Sequence, residues 1–445
     1  MAQRFILRLS ALALAISGSA FGADLMEVYD KARAGDPQFA AAEAGRLAAE
    51  QGVPLARSAL LPQLSASWNK NRSESEGTIF SEELNRDVTF STTSRNSSKS
   101  LQLQQSIYDH GSYMNLRAAK AQAARGGADY DAASDALLVR VAEAYFGVLT
   151  AQTNLTSAEA EEKAVGRQLE QAEQRFEVGL TAITDVHEAR ARYDGARAAV
   201  ILARNALDDT FEGLIELTGE EVEAVKPLKE EIELARPQPD SLDQWVDTAI
   251  GSNPALAALQ KTVDAANYSA KAAWSDHLPS LGLSGNYSEQ DSGGDVGPFS
   301  ARDPKNNSLS LSLSIPLFSG GATNARYKQS LYDRDAAQDR LEQQRRAIVR
   351  QTRGAFRGVA AGISEVEARQ QALVSAKSAL EATEAGFEVG TRTIVDVLLS
   401  QQQQFAAERE YARARHNYIL ANLRLKQAAG TIDVADLKAV NAMLQ

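Results

Sequence analysis

The chain has 445 residues, a formal net charge of −11 at pH 7 and no cysteine. The acidic balance argues against a nucleic-acid partner, because a phosphate backbone requires a basic face. The absence of cysteine excludes a disulfide framework, a thiolate metal site, a catalytic thiol and the usual acceptor of an N-terminal lipid anchor.

Residues 1–22 have the pattern of a secretory signal peptide. Arg4 and Arg8 form a basic start, residues 9–16 form an apolar stretch, and small residues follow. The apolar stretch is too short to span a bilayer. We expect cleavage at the end of this segment or one residue later, after Ala23, and a mature chain that leaves the cytoplasm.

An internal repeat organises the rest of the chain. The motif Phe-Glu-Val-Gly-x-x-x-Ile-x-Asp-Val occurs at residues 176–186 and again at 387–397, an offset of 211 residues. Upstream, Leu-Pro-x-Leu occurs at 61–64 and again at 278–281. Self-similarity over this distance indicates two copies of one structural unit, each of roughly 200 residues.

Each unit contains a long stretch without proline, at residues 112–217 and 322–430. Both stretches are rich in strong helix formers and carry apolar residues at seven-residue spacing, which predicts coiled-coil helices. A helix from the start of the first stretch to its motif would be about 100 Å long. Gly179 and Gly390 suit left-handed helix caps, so each stretch is predicted to be a long antiparallel helical hairpin with its tip at the repeated motif.

The remaining part of each unit, residues 62–111 and 279–321, reads as strands. Leucine and isoleucine alternate with serine from 308 to 315, a period of two with one apolar face. Polar segments at 69–99 and 288–307 lie between the predicted strands of each pair. No segment has the eighteen consecutive apolar residues of a transmembrane helix.

Four strands cannot close a barrel alone. One interpretation is two soluble hairpins packed on helices. The other is an oligomeric barrel, in which three chains would supply twelve strands, an even number within the outer-membrane range. Four matched strands on an exported chain favour the second interpretation.

Several segments closely resemble the TolC family of outer-membrane efflux proteins. They are the mature start at 24–29, Leu-Leu-Pro-Gln-Leu at 60–64, and the two motifs at 175–186 and 389–397. The resemblance runs from about residue 24 to 440. It implies an α+β membrane protein: a homotrimer whose twelve-stranded β-barrel in the outer membrane, four strands per chain, continues as an α-helical tunnel in the periplasm.

The resemblance also implies a domain layout and a mechanism. The remaining segments would be tunnel helices at 23–61 and 245–278, an equatorial linker at 218–244 and an equatorial tail at 431–445. The tunnel would be closed at its periplasmic tip and open like an iris when a periplasmic adaptor and an inner-membrane pump of the RND, ABC or MFS type dock. No cofactor, metal or chemical step is implied.

Asp396 matches the family's acidic ring at the tunnel entrance. Three copies around a symmetry axis would bring like charges together, which raises pKa values and favours cations. The alternative is a carboxylate that only complements the dipole of its own helix, as its repeat partner Asp185 would. Where close relatives have a second acidic residue one turn later, this chain has Leu399, so the ring should hold three carboxylates and block cations more weakly.

The resemblance assigns a gate network to positions around the same tip. Thr184, Asp185 and Arg392 match residues that link neighbouring helix pairs in the closed state, although ordinary surface pairing is the alternative. Phe387 stands where relatives have a tyrosine hydroxyl in this network, so Arg392 should hold the gate. The helix tips at Gly179 and Gly390 are the expected docking points for the adaptor, or only helix caps.

The rival hypothesis from another class is a periplasmic coiled-coil spacer or adaptor without a pore. Such a spacer gives no reason for four alternating strands. The four histidines lack zinc-ligand spacing, and no motif of a hydrolase, nucleotide-binding enzyme or dehydrogenase is present. We therefore predict a duct for export in a tripartite efflux or type I secretion system, with the cargo unspecified by sequence.

Overall fold

The computed structural model describes residues 22–294 and 305–445, so the predicted signal peptide lies outside the described residues except for its last position. In chain order the described elements are α1 (Leu25–Gly35), α2 (Pro37–Ser58), β1 (Gln63–Ser81), β2 (Arg86–Tyr108), α3 (His110–Glu177), α4 (Ile183–Thr218), α5 (Leu242–Ser252), α6 (Pro254–Ser275), β3 (Ser280–Gly294), β4 (Lys305–Ser314), α7 (Ala322–Glu388), α8 (Ile394–Ala429) and α9 (Val434–Asn441).

The two predicted long hairpins are confirmed as pairs of unbroken helices. Helix α3 has 68 residues and α7 has 67, while their return helices α4 and α8 have 36 residues each. Helices in proteins are stabilised mainly by packing along an apolar side, and less by the helix propensity of their residues. The matched lengths agree with the internal repeat.

The four strands form one antiparallel sheet in the order β1-β2-β3-β4. It belongs to a compact unit made of residues 45–128 and 257–343. The predicted apolar positions face one another across the strands, for example Leu64 opposite Leu103 and Leu281 opposite Leu313. The predicted α+β class with four strands per chain is confirmed.

The polar segment predicted at 69–99 is itself mostly strand, and so are the described residues of the segment predicted at 288–307. β1 and β2 stay paired out to Ser81 opposite Arg86, and β2 and β3 out to Ser94 opposite Gly294. Side-chain hydrogen bonds between serines support this polar ladder, such as the 2.8 Å bond between Ser73 and Ser94. Because residues 70–76 and their partners 91–97 are polar on both faces, the period-two signal used to predict strands is absent along this part of the ladder.

One face of the sheet is not covered by any of the described residues. Leu309, Leu311 and Leu313 of β4 are 74%, 67% and 62% exposed, and Trp68 of β1 is 68% exposed. Soluble monomers rarely expose an apolar face of this extent, so it marks a contact with a membrane or with another protein. The sheet is also open, with β1 and β4 as its edges.

The second compact unit comprises the described residues of 1–44, together with 129–256 and 344–445. Its core surrounds Tyr145 and Phe146 of α3, which are fully buried with Leu214, Leu425 and Leu437. The Tyr145 hydroxyl contacts the carbonyl oxygens of Ala23 at 3.1 Å and Lys226 at 2.9 Å. These contacts attach the start of the mature chain and the linker to the long helices.

Two predicted tunnel helices, at 23–61 and 245–278, are each divided in two. The breaks fall at Asp36 and Asn253, which have extended backbones with ψ of 114° and 119°. Each precedes a proline, and a residue before proline is driven out of the helical region. Both side chains cap the next helix; the Asp36 carboxylate accepts the backbone N–H of Phe39 at 3.2 Å.

Candidate gate at the helical tips

Each long hairpin turns at a glycine in the left-handed region. Gly179 has φ of 75° and Gly390 has φ of 79°. Following these glycines, the N–H of Leu180 donates to the Arg175 carbonyl at 2.8 Å, and that of Thr391 donates to the Gly386 carbonyl at 2.8 Å. Each of these bonds spans five residues, as the outer hydrogen bond of a Schellman cap does. Both predicted glycine caps are therefore confirmed.

A small apolar cluster holds the helices together beside the tips. Its buried members come from α3, α4 and α8: Val165, Ala172, Val186, Ala189, Ile394 and Leu398. Phe387 packs against it while partly buried, and the Arg175 guanidinium lies 4.9 Å from the centre of its ring. The position that lacks a tyrosine hydroxyl therefore makes a cation–π contact within its own chain.

Asp396 belongs to a capping box at the start of α8. Its carboxylate accepts the backbone N–H and the hydroxyl of Thr393, both at 2.9 Å, and its own N–H donates to that hydroxyl at 3.3 Å. The Thr393 N–H, then the Thr393 hydroxyl, lower the pKa of Asp396, and nearby Arg392 acts in the same direction. Within one chain these bonds oppose the increase in pKa expected from a ring of three carboxylates.

The repeat partner Asp185 has different neighbours. Helix α4 begins after Ala182, which offers no side-chain cap, and the Thr181 hydroxyl donates to the Asp185 carboxylate instead. Thr184 is exposed and makes no side-chain hydrogen bond in the described part of the chain. The two tips therefore have the same backbone conformation at their glycines but different side-chain hydrogen bonds.

Arg392 is exposed, and its guanidinium has no ion pair or hydrogen bond with any described residue of the same chain. Its side chain lies over Gly386, where an added Cβ would come within 2.8 Å of the Arg392 Cγ. One chain therefore does not bring Thr184, Asp185, Arg392 and Phe387 into one network. Sequence reasoning missed Thr393 and Gly386; the visible signal was that Gly386 replaces Arg175 of the first repeat.

Two titratable groups outside the tips are perturbed by burial. His416 of α8 lies with its Nδ1 2.8 Å from the Thr150 hydroxyl of α3, and burial, aided by Arg415, lowers its pKa to about 4. Burial and the nearby Asp131 carboxylate raise the pKa of Asp135 to about 6. Both belong to the packing of α3 rather than to the tips.

Within residues 22–294 and 305–445, no group of three or more His, Asp or Glu side chains is arranged to hold a metal ion. None of the helices among those residues is long and apolar enough to cross a membrane. The tips present exposed apolar and charged side chains beside the two glycine caps.

An open sheet with an uncovered apolar face and long helical hairpins with capped tips define the class of outer-membrane ducts. The sequence model described as "Outer membrane efflux protein" matches residues 28–220 and 245–431, and the chain belongs to that family. It is an outer-membrane channel for efflux or secretion. The alternative of a pore-less periplasmic spacer is not supported.

Characterised relatives match along nearly the whole chain. The chain is 39% identical to the outer membrane protein TolC of Vibrio cholerae serotype O1, covering 97% of this chain and 96% of that protein. It is 32% identical to the alkaline protease secretion protein AprF of Pseudomonas aeruginosa, covering 97% and 89%. Among solved structures, the CmeC outer membrane channel of Campylobacter jejuni has a TM-score of 0.77 at 17% identity, covering 98% and 95%, which supports the fold.

Proposed function

We propose that three copies of the chain form one exit duct. The open edges of each sheet would join those of its neighbours into a twelve-stranded barrel, which removes the unpaired edges and turns the apolar face toward lipid. The helical hairpins would form a tunnel in the periplasm that opens by iris-like relaxation at its tip. Cargo passes through chemically unchanged.

The gate we propose consists of Asp396 and Arg392. One carboxylate oxygen of Asp396 is held by the capping box, which leaves the other free to line the proposed entrance. Arg392 has no partner among the described residues of its own chain, which leaves its guanidinium available to Thr184 or Asp185 of a neighbouring copy. Charge-assisted hydrogen bonds of this kind contribute about 1.5–3 kcal/mol each when shielded from water.

Leu399 and Phe387 set the strength of this gate. Leu399 is 45% exposed one turn after Asp396, so the ring holds three carboxylates and its cation block is weaker than a ring of six would give. The ring of Phe387 contacts the Arg175 guanidinium, and because phenylalanine has no hydroxyl it adds no hydrogen bond to the gate. The closed state therefore depends mainly on Arg392.

The docking surface we propose for a periplasmic adaptor is the pair of tips. Around Gly179 and Gly390, Val178, Leu180 and Val389 are 69%, 70% and 75% exposed. Exposed apolar residues on a rigid cap suit a helical-hairpin partner. The adaptor would connect the duct to an inner-membrane pump that supplies the energy.

The single observation that carries the gate assignment is the unpaired Arg392 beside the box-held Asp396. Single-channel conductance in a planar bilayer tests it, with a trivalent cation added on the side of the tips. We expect small, steady, cation-selective currents that are blocked from that side, relief of block in Asp396→Ala, and larger currents in Arg392→Ala.

The matched control is Asp185→Ala, which changes the repeat partner and should leave the cation block in place. Block that persists in Asp396→Ala would exclude the acidic ring. Unchanged conductance in Arg392→Ala would exclude the gate role of that residue.

A further inference from the structure

Away from the tips, the helices of the second unit pack in the order α4, α3, α8, α7; beside the tips α4 also contacts α8, where the Arg192 guanidinium donates to the Gln402 side-chain oxygen at 3.3 Å. Ion pairs mark the three contacts: Arg204–Glu159 at 3.1 Å, Arg424–Glu143 at 2.7 Å and Arg369–Glu410 at 3.4 Å. This order leaves one flank of α4 and one flank of α7 without a helical neighbour in the series.

The open flank of α7 carries a basic stripe. Arg350, Arg353 and Arg357 follow one another at i, i+3 and i+7, which places them on one side of the helix. The buried residues Ile348 and Val359 lie on the opposite side. All three arginines are exposed, and none has an ion pair or hydrogen bond with another described residue.

The open flank of α4 carries an acidic stripe with the same spacing. Asp209, Glu212 and Glu216 stand at i, i+3 and i+7, and all are exposed. Asp209 accepts a 3.2 Å hydrogen bond from the Asn205 amide, whereas Glu212 and Glu216 have no polar partner within the described ranges. Three carboxylates on one helix side repel one another unless cations face them.

The internal repeat supplies the register for a contact between these stripes. In the antiparallel α3–α8 contact, the residue numbers of facing partners total 566 for Thr150 with His416 and 567 for Glu143 with Arg424. The repeat relates α3 to α7 by 211 residues forward and α8 to α4 by 211 residues back. An equivalent α7–α4 contact would therefore keep the same total.

We propose that the α7 flank of one copy packs on the α4 flank of a second copy, basic stripe against acidic stripe. The register pairs Arg350 with Glu216, Arg353 with Glu212 and Arg357 with Asp209, whose numbers total 566, 565 and 566. This interface rests on the trimer proposed above and specifies which residues hold it. Guanidinium groups suit it, because they bind carboxylates in a bidentate geometry.

The charges also select the correct partner helix. Within the chain, the acids Glu143 and Glu161 are on α3 and their partners Arg424 and Arg409 are on α8. Between copies the polarity is reversed, with the bases on α7 and the acids on α4. An α4 helix from a second copy that took the place of α8 would meet like charges on α3, so the reversal disfavours misassembly.

Cross-linking tests the register, and the absence of natural cysteine gives a clean background. The double variant Arg357→Cys/Asp209→Cys, treated with a short bismaleimide that alkylates two thiols, should give covalent species of up to three chains on a denaturing gel. The control Glu143→Cys/Arg424→Cys should cross-link within one chain and run as a monomer. Cross-linking of the first pair only within one chain, in a protein that sedimentation shows to be trimeric, would overturn the interface.

Reciprocal charge reversal tests the energetics. Arg350→Glu/Arg357→Glu and Asp209→Arg/Glu216→Arg should each lower the trimer fraction in detergent at low salt, with unchanged helical circular dichroism. Combining the four substitutions should restore the trimer. If the variant with all four substitutions does not regain the wild-type trimer fraction, the proposed charge pairing is refuted, whereas the proposal that the wild type is a trimer is not. A wild-type chain that sediments as a monomer would instead refute the proposed trimer itself.

Discussion

The buried His416 makes a quantitative prediction about pH and stability. Its side chain is 6% exposed, and burial, with help from Arg415, lowers its pKa from 6.5 to about 4. The unfolded chain therefore binds a proton at a higher pH than the folded chain. The associated stability is complete above the unfolded pKa and is lost as pH falls toward the folded pKa. Between the unfolded pKa of 6.5 and the folded pKa of about 4, at about 1.36 kcal/mol per pH unit, the free energy of unfolding falls by an amount on the order of 3 kcal/mol per chain.

The perturbation that isolates this effect is His416→Phe. The Thr150 hydroxyl keeps its 2.7 Å bond to the Phe146 carbonyl, so the substitution leaves no orphaned donor. Hydrogen exchange of amides in residues 410–425, at pH 7.5 and pH 4.5 with intrinsic rates corrected, reports the local opening free energy. The wild type should lose about 2–3 kcal/mol more than the variant between these conditions. An equal loss in both proteins would refute the reasoning, because the carboxylates common to both cancel in the comparison.

Two further substitutions test polar contacts of the long helices. Arg140→Ala removes the ion-pair partner of the buried Asp36 carboxylate, which keeps only its backbone donors, so thermal unfolding should show a loss of about 3 kcal/mol; a loss below 1 kcal/mol would show that the cap alone satisfies the carboxylate. Thr393→Val removes a hydroxyl that lowers the pKa of Asp396, so trivalent-cation block should fail at a higher pH than in the wild type, whereas Thr393→Ser should match the wild type; coincident pH profiles would contradict this role.

The long helices and their tips could be predicted because their signals are local. Seven-residue periodicity, the absence of proline and one glycine at each turn describe α3, α4, α7 and α8 without any long-range contact. The division of the shorter tunnel helices was also visible locally, in Pro37 and Pro254, but one helix per segment was expected from the family resemblance. In the structure each proline is the first residue of a new helix, where proline is tolerated, behind the Asp36 or Asn253 cap.

The polar strand extensions could not be predicted from alternation. Asn71 pairs with Asn96 on one face and Arg72 with Arg95 on the other, so both faces of the ladder are polar there and the period of two disappears. Pairing there follows from the apolar register lower in the same strands. Similarly, Asp396 and Arg392 were singled out by the family resemblance, whereas the hydrogen bonds that Thr393 makes depend on side-chain geometry.

The two repeats share a frame, and their differences indicate where function resides. At the tips, Thr393 caps the helix of Asp396, whereas Ala182 leaves the equivalent helix of the first repeat uncapped. Along the helices, Glu143 and Arg424 pair inside the chain, whereas their repeat positions are Gly354 and Gly213, which nothing in the chain contacts within 4 Å of an added Cβ. The frame alone would give six equivalent hairpins in the proposed trimer, so the differences at the tips would let only three of them carry the proposed acidic ring. The differences along the helices would separate contacts within a chain from the proposed contacts between chains.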